Sequence, residues 1–126
     1  MPKAAIVALG MLLIAHGLVH LMGTTVYMKL GTIEGLPYKT TLLGGRWDLG
    51  ERGMRLFGAL WVLPALGFVL GGAALLVGQA LWVPIVVVTT LLSLVMTVLD
   101  FRAAFVGAIL NVAILATVWL GPILRS

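Results

Sequence analysis

The chain has 126 residues, of which 62% are hydrophobic and 10% charged, with a formal net charge of +4. Soluble domains carry about 25% charged residues, and a small soluble fold buries too little surface to hide this much apolar area, so a mean hydropathy of +1.20 assigns most of the chain to lipid. The absence of cysteine excludes disulfides, thiolate metal sites and dithiol redox chemistry, and the basic balance, lacking any basic run or basic helix face, reads as residues flanking membrane spans rather than a nucleic-acid surface.

A spanning helix needs about 20 mostly apolar residues. The first candidate is Ala4–Val26. Its apolar run is longer than a signal-peptide core and is followed by no small-x-small cleavage site, so it reads as a retained helix. His16 and His20, the only histidines, lie four residues apart on one face, with Gly17 beside them and Thr24 on the same stripe.

Residues Tyr27–Gly53 form the one substantial polar stretch, interrupted by Gly31, Gly35, Pro37, Gly44, Gly45 and Gly50 and read as a long loop. Loops of this length in small proteins are often functional. The second span is expected over Met54–Val77, kinked at Pro64, with Gly67 and Gly71 forming a GxxxG element for close helix packing. After a tight turn at Gly78–Gln79 the third span covers Leu81–Leu99 and carries Thr89, Ser93 and Thr97 on one face. Asp100–Phe101–Arg102 makes the last turn, and the fourth span, Ala103–Leu120, holds Asn111 near its centre with Gly107 one turn earlier. The expected fold is therefore one all-α domain over residues 1–126, a four-transmembrane-helix bundle.

Counting Lys and Arg orients it. Lys29, Lys39, Arg46, Arg52, Arg55 and Arg102 lie on the long-loop side, against Lys3 and Arg125 on the other. The positive-inside rule puts loop 27–53 in the cytoplasm and both termini outside.

At about 1.5 Å per residue, His16 lies roughly 15 Å below the loop-side surface, Ser93 about 10 Å and Asn111 about 12 Å. Polar groups at that depth are costly unless they face inward and pair. His16, His20, Thr24, Ser93, Thr97 and Asn111 are therefore expected to converge on a polar interior or ligand site, and Asp100 to pair with Arg52, Arg55 or Arg102 at the membrane surface. The blandest account of such a site is hydrogen-bonded glue between helices. A pathway for a substrate or proton is the second, and haem or metal at His16 and His20 the third. No carboxylate lies at that depth to complete a metal site, and two histidines on one face cannot ligate one haem from both sides. Ser93 with His16 makes a nucleophile–base pair without an orienting acid. No cofactor is expected, and the enzyme question leans to no.

Three segments carry a resemblance: His16–Gly23 (HGLVHLMG), Arg55–Trp61 (RLFGALW) and Gly107–Leu115 (GAILNVAIL). Together they resemble small bacterial four-helix integral membrane proteins to which no activity is assigned, and the layout is similar to DoxX-type four-helix proteins; the resemblance implies a bacterial cytoplasmic (inner) membrane. Small multidrug exporters place an essential Glu in the first helix, and fluoride channels carry a Gly-rich Arg motif; neither is present here. The reading is a non-enzymatic accessory or binding subunit, with a small transporter or channel as the alternative. The lipid bilayer is the expected partner, with a homo-oligomer or a larger membrane complex as further partners.

Overall fold

A computed structural model describes residues 1–125, with side chains through residue 121; the side chain of Arg125, counted above for orientation, lies outside the described residues. Helices α1 (Lys3–Val19) and α2 (Leu21–Tyr27) together form the first span. The second span consists of α3 (Gly50–Leu60) and α4 (Val62–Leu76). Helix α5 (Trp82–Leu99) is the third span, and α6 (Phe101–Arg125) contains the fourth. All four are long and apolar enough to cross a bilayer, and the protein is an all-α, multi-pass membrane protein.

The breaks have identifiable causes. Pro64 has no N–H to give the Leu60 carbonyl, and the helix is interrupted at Trp61, between α3 and α4. The chain leaves α4 through Gly78 at φ 77°, where its N–H bonds the Leu75 carbonyl and the Gln79 N–H bonds that of Ala74. A second turn of this kind ends α2, with Lys29 in the left-handed conformation (φ 56°) that glycine usually takes.

Helix α1 packs on α4, α4 on α5, and α5 on α6, while the backbones of α1 and α6 stay apart. In the half of the bundle near the termini, side chains close that gap. Leu13, Phe68, Leu75, Val86 and Ile114 form a buried cluster, flanked by Ile6, Leu9 and Val118. In the loop-side half they do not close it, and a cavity remains.

Two departures from the sequence reading matter. The second span begins at Gly50 rather than Met54, because Glu51, Arg52 and Arg55 continue the helix into the polar surface layer. The fourth begins at Phe101, directly after Asp100, and takes up the adjustment at Ala104 (φ −120°, ψ 19°). The loop is also more ordered than its glycines suggest. Strand β1 (Thr41–Leu42) pairs antiparallel with β2 (Trp47–Asp48) across a turn containing Gly44 and Gly45, both at positive φ. Leu42, fully buried, joins Val26, Tyr27, Met54, Phe57, Trp61 and Met96 in a second core beneath the loop, with Ile33, Leu36 and Leu49 packed against it. The loop therefore caps the loop-side end of the bundle.

The Gly67 and Gly71 element works within the bundle. A methyl group on Gly67 would fall 2.1 Å from Thr89 Oγ1, and one on Gly71 2.6 Å from a Val86 methyl, so both glycines admit α5.

Candidate functional site

Four of the six predicted interior residues meet in one hydrogen-bond network linking α1, α5 and α6. His16 Nε2 lies 2.9 Å from Asn111 Oδ1, Asn111 Nδ2 lies 2.9 Å from Ser93 Oγ, and His20 Nε2 lies 2.6 Å from Ser93 Oγ. His20 Nδ1 lies 2.7 Å from the His16 carbonyl oxygen. All four residues are buried, Ser93 and Asn111 completely.

The donors and acceptors follow from one fixed point. A carbonyl oxygen only accepts, so His20 Nδ1 carries the proton. No carboxylate bonds either buried ring, and a buried charge without a partner is costly, so neutral imidazoles fit the site and His20 Nε2 is then an acceptor. Ser93 therefore donates to His20 and accepts from the Asn111 amide. The Asn111 oxygen then accepts from His16 Nε2–H, which leaves His16 Nδ1 with a lone pair and no partner.

Thr97 stands at the edge of this network. It donates to the Leu94 carbonyl (3.1 Å) and faces Asn111 Nδ2 at a long 3.4 Å. Thr24 is the outlier of the set. Its hydroxyl donates to the Gly58 carbonyl at 2.8 Å, tying α2 to α3 where the helices cross. The break at His20 carries Thr24 away from the histidine site.

The ion pairing also differs from expectation. Asp100, 3% exposed, accepts from the Tyr27 hydroxyl and pairs with the Lys39 ammonium. Among the described residues, Arg52, Arg55 and Arg102 form no salt bridge to a carboxylate; all three side chains are exposed, and the guanidinium of Arg102 lies against Gly44. The reason is topological: the folded loop lays Lys39 directly over the α5–α6 turn and covers Asp100 from the arginines. A second pair, Lys29–Glu51 at 2.7 Å, is exposed. Its hydrogen bond holds the Lys29 ammonium above its usual pKa range.

Tyr27, Lys39 and Trp61 were not expected at the site from the sequence. Tyr27 had a signal, because the stripe His16, His20, Thr24 continues to it with helical spacing. Trp61 had none. Its indole ring stands 5.4 Å from His20, and Phe68 lies 4.7 Å from His16 and 5.3 Å from His20, so the imidazoles are backed by an aromatic wall from α4 and the α3–α4 break. The indole N–H of Trp61 is buried without a hydrogen-bond partner.

In front of this wall is a cavity of about 470 Å³, within the range that holds small-molecule ligands. His16, His20, Tyr27, Thr97 and Asp100 supply its polar side. Leu12, Val19 and Met22 on one flank and Val106 and Leu110 on the other supply an apolar mouth between the first span and α6. Glu34, Gly35 and Leu36 roof the loop end. Ser93 is absent from the lining, so the Ser93–His20 pair has the spacing of a nucleophile and base but no face to offer a substrate. Among the described residues no group of three His, Cys, Asp or Glu is arranged to hold a metal ion.

Asn111→Leu is expected to destabilise the bundle by about 2 kcal/mol, because it strands the His16 N–H and leaves Ser93 without its donor. The value lies above the ~0.6 kcal/mol average for interhelical hydrogen bonds in membranes because two buried groups lose partners at once. Melting in detergent against His16→Leu and the double variant checks this: the double should be less damaging than the sum of the singles.

No protein-family model, curated protein or solved structure matches the chain.

Proposed function

We propose that the protein is a non-enzymatic membrane binding module, and that its site is the cavity between the first span and α6. The observation that carries this reading is a cavity of about 470 Å³ with a hydrogen-bonding floor and an apolar mouth between the first span and α6. Ligand sites are mostly apolar concavities with a few convergent polar groups, and this one has that character.

A transporter or channel fits this interior less well. The polar interior occupies only the loop-side half, and the Leu13–Phe68–Val86–Ile114 cluster fills the other half. Nor is the network a proton wire, because the amide of Asn111 stands between the two histidines and does not pass protons on as an imidazole or hydroxyl does. A metal or haem held by both histidines would have to displace Ser93 from His20 Nε2, because His20 Nδ1 is committed to the His16 carbonyl. We place the protein in a bacterial cytoplasmic membrane with the capping loop on the cytoplasmic side, supported by the excess of Lys and Arg at that end.

The test uses purified protein in lipid nanodiscs and in vesicles. Nile red, a neutral lipophilic dye, is expected to bind saturably, and Ala15→Trp, at a position of α1 that lines the cavity, is expected to fill the mouth and remove that binding. Vesicles containing the protein should hold proton and potassium gradients as well as empty ones. Gradients that collapse only with protein present, or dye binding unchanged by Ala15→Trp, would refute the binding-module reading.

A further inference from the structure

The chemistry of the ligand can be read from what the cavity leaves open, on the premise that the cavity is the binding site. Its loop end is closed. Glu34–Leu36 form the roof, Leu36 is anchored in the core beneath the loop, and the segment that follows is held by Lys39 on Asp100. Its side is open: the α1 and α6 backbones stay apart, and Leu12, Val19 and Val106 at the rim are 46%, 56% and 57% exposed. In a membrane, that rim faces acyl chains. The easy route in is from the lipid phase, which selects a lipophilic molecule.

The charge of the site selects further. Asp100 is already neutralised by Lys39 and hydrogen-bonded by Tyr27, and the other lining carboxylate, Glu34, is exposed in the roof at the loop end, so no unpaired charge on the buried floor calls for an ionic head. The head must instead satisfy a hydrogen-bonding position. The network settles which kind. With His20 fixed by the His16 carbonyl, every other donor and acceptor in the chain of bonds is assigned, and the lone pair of His16 Nδ1 is left over. That atom has no partner and is not sealed off by protein, and His16 forms part of the cavity wall. A bare acceptor in an apolar cavity is matched by a donor.

We infer that the cavity takes an uncharged lipid alcohol, entering sideways between α1 and α6, whose hydroxyl donates to His16 Nδ1. An isoprenoid or similar alcohol has this chemistry, with an apolar body for the Leu12–Leu110 mouth and one O–H for the floor.

The experiment compares three probes of one skeleton, farnesol, its methyl ether and farnesoic acid, binding to the protein in nanodiscs and read by tryptophan fluorescence. Farnesol is expected to bind saturably, at least about tenfold tighter than the ether that lacks the donor, with the acid no better than the ether. His16→Gln keeps an N–H donor toward Asn111 and removes the Nδ1 acceptor. It is expected to abolish the preference for alcohol over ether and to leave ether binding intact. Equal binding of alcohol and ether by the wild type, tightest binding of the acid, or no binding of any of the three would overturn the inference. If Nile red still binds and is still lost in Ala15→Trp, the cavity reading survives that result; if Nile red also fails, both fall together.

Discussion

Gly17→Leu is expected to be among the most damaging single substitutions in the molecule, lowering stability by about 3 kcal/mol or preventing assembly of the bundle. The first span lies so close to α4 that even a methyl group at Gly17 would come 2.8 Å from the Ala65 carbonyl oxygen and 2.9 Å from Phe68 Cβ. Both obstacles belong to or adjoin the backbone of α4 and cannot swing aside. Lipid tails offer helices no hydrophobic drive to associate, so close van der Waals contact is what a small residue at a crossing supplies. The same approach sets His16 and His20 against Phe68, so separating the helices would also disturb the site. Thermal melting in detergent checks the prediction, with Val112→Leu on an exposed position of α6 expected to melt like the wild type. A Gly17→Leu protein melting within a degree or so of wild type would show that α1 and α4 are not packed as described.

Lys39→Met is the second large effect, expected to destabilise by about 3 kcal/mol through Asp100, which would keep its burial and lose its cation. The loss should be conditional. In an Asp100→Asn background the same change should cost much less, because no charge is left to strand, and a double-mutant cycle measures the difference. The surface pair Lys29–Glu51, exposed on both sides, should show no coupling of that size in the same assay. Lys39→Met should also loosen the roof over the cavity, read as faster proteolysis within residues 28–49 in otherwise folded protein.

The fold was legible because lipid makes a strong demand on a short chain. Four runs of apolar residues had to be helices, since no other open structure satisfies the backbone there. The network was legible for a related reason: His16, Ser93 and Asn111 sit at matching depth by simple helix rise, and polar groups at that depth must find one another. What the residues did not reveal was partner choice within the set. His16 joins Asn111 and His20 joins Ser93, and the rotation of each helix that decides this comes from the Gly17 and Gly67 contacts. Thr24 left the group because the first span breaks at His20, where no proline or glycine marks the break.

The errors over Asp100 have one origin. Arg52, Arg55 and Arg102 are nearest along the helix ends, and sequence proximity favoured them. Lys39 reaches Asp100 only because residues 28–49 fold back as a cap, and that cap rests on a hairpin of two residues per strand and on Leu42, too little periodic pattern to announce itself. The cavity was invisible for the same reason, being the space left in the loop-side half, where side chains do not close the gap between α1 and α6.

The most direct test is native mass spectrometry of the protein released gently from the membrane in which it is made. The wild type is expected to carry a bound, lipid-soluble molecule that is absent from Ala15→Trp and from a second mouth-filling variant, Leu110→Trp, both still folded. A wild type that carries nothing even after incubation with farnesol, or an adduct that persists unchanged in both variants, would contradict it.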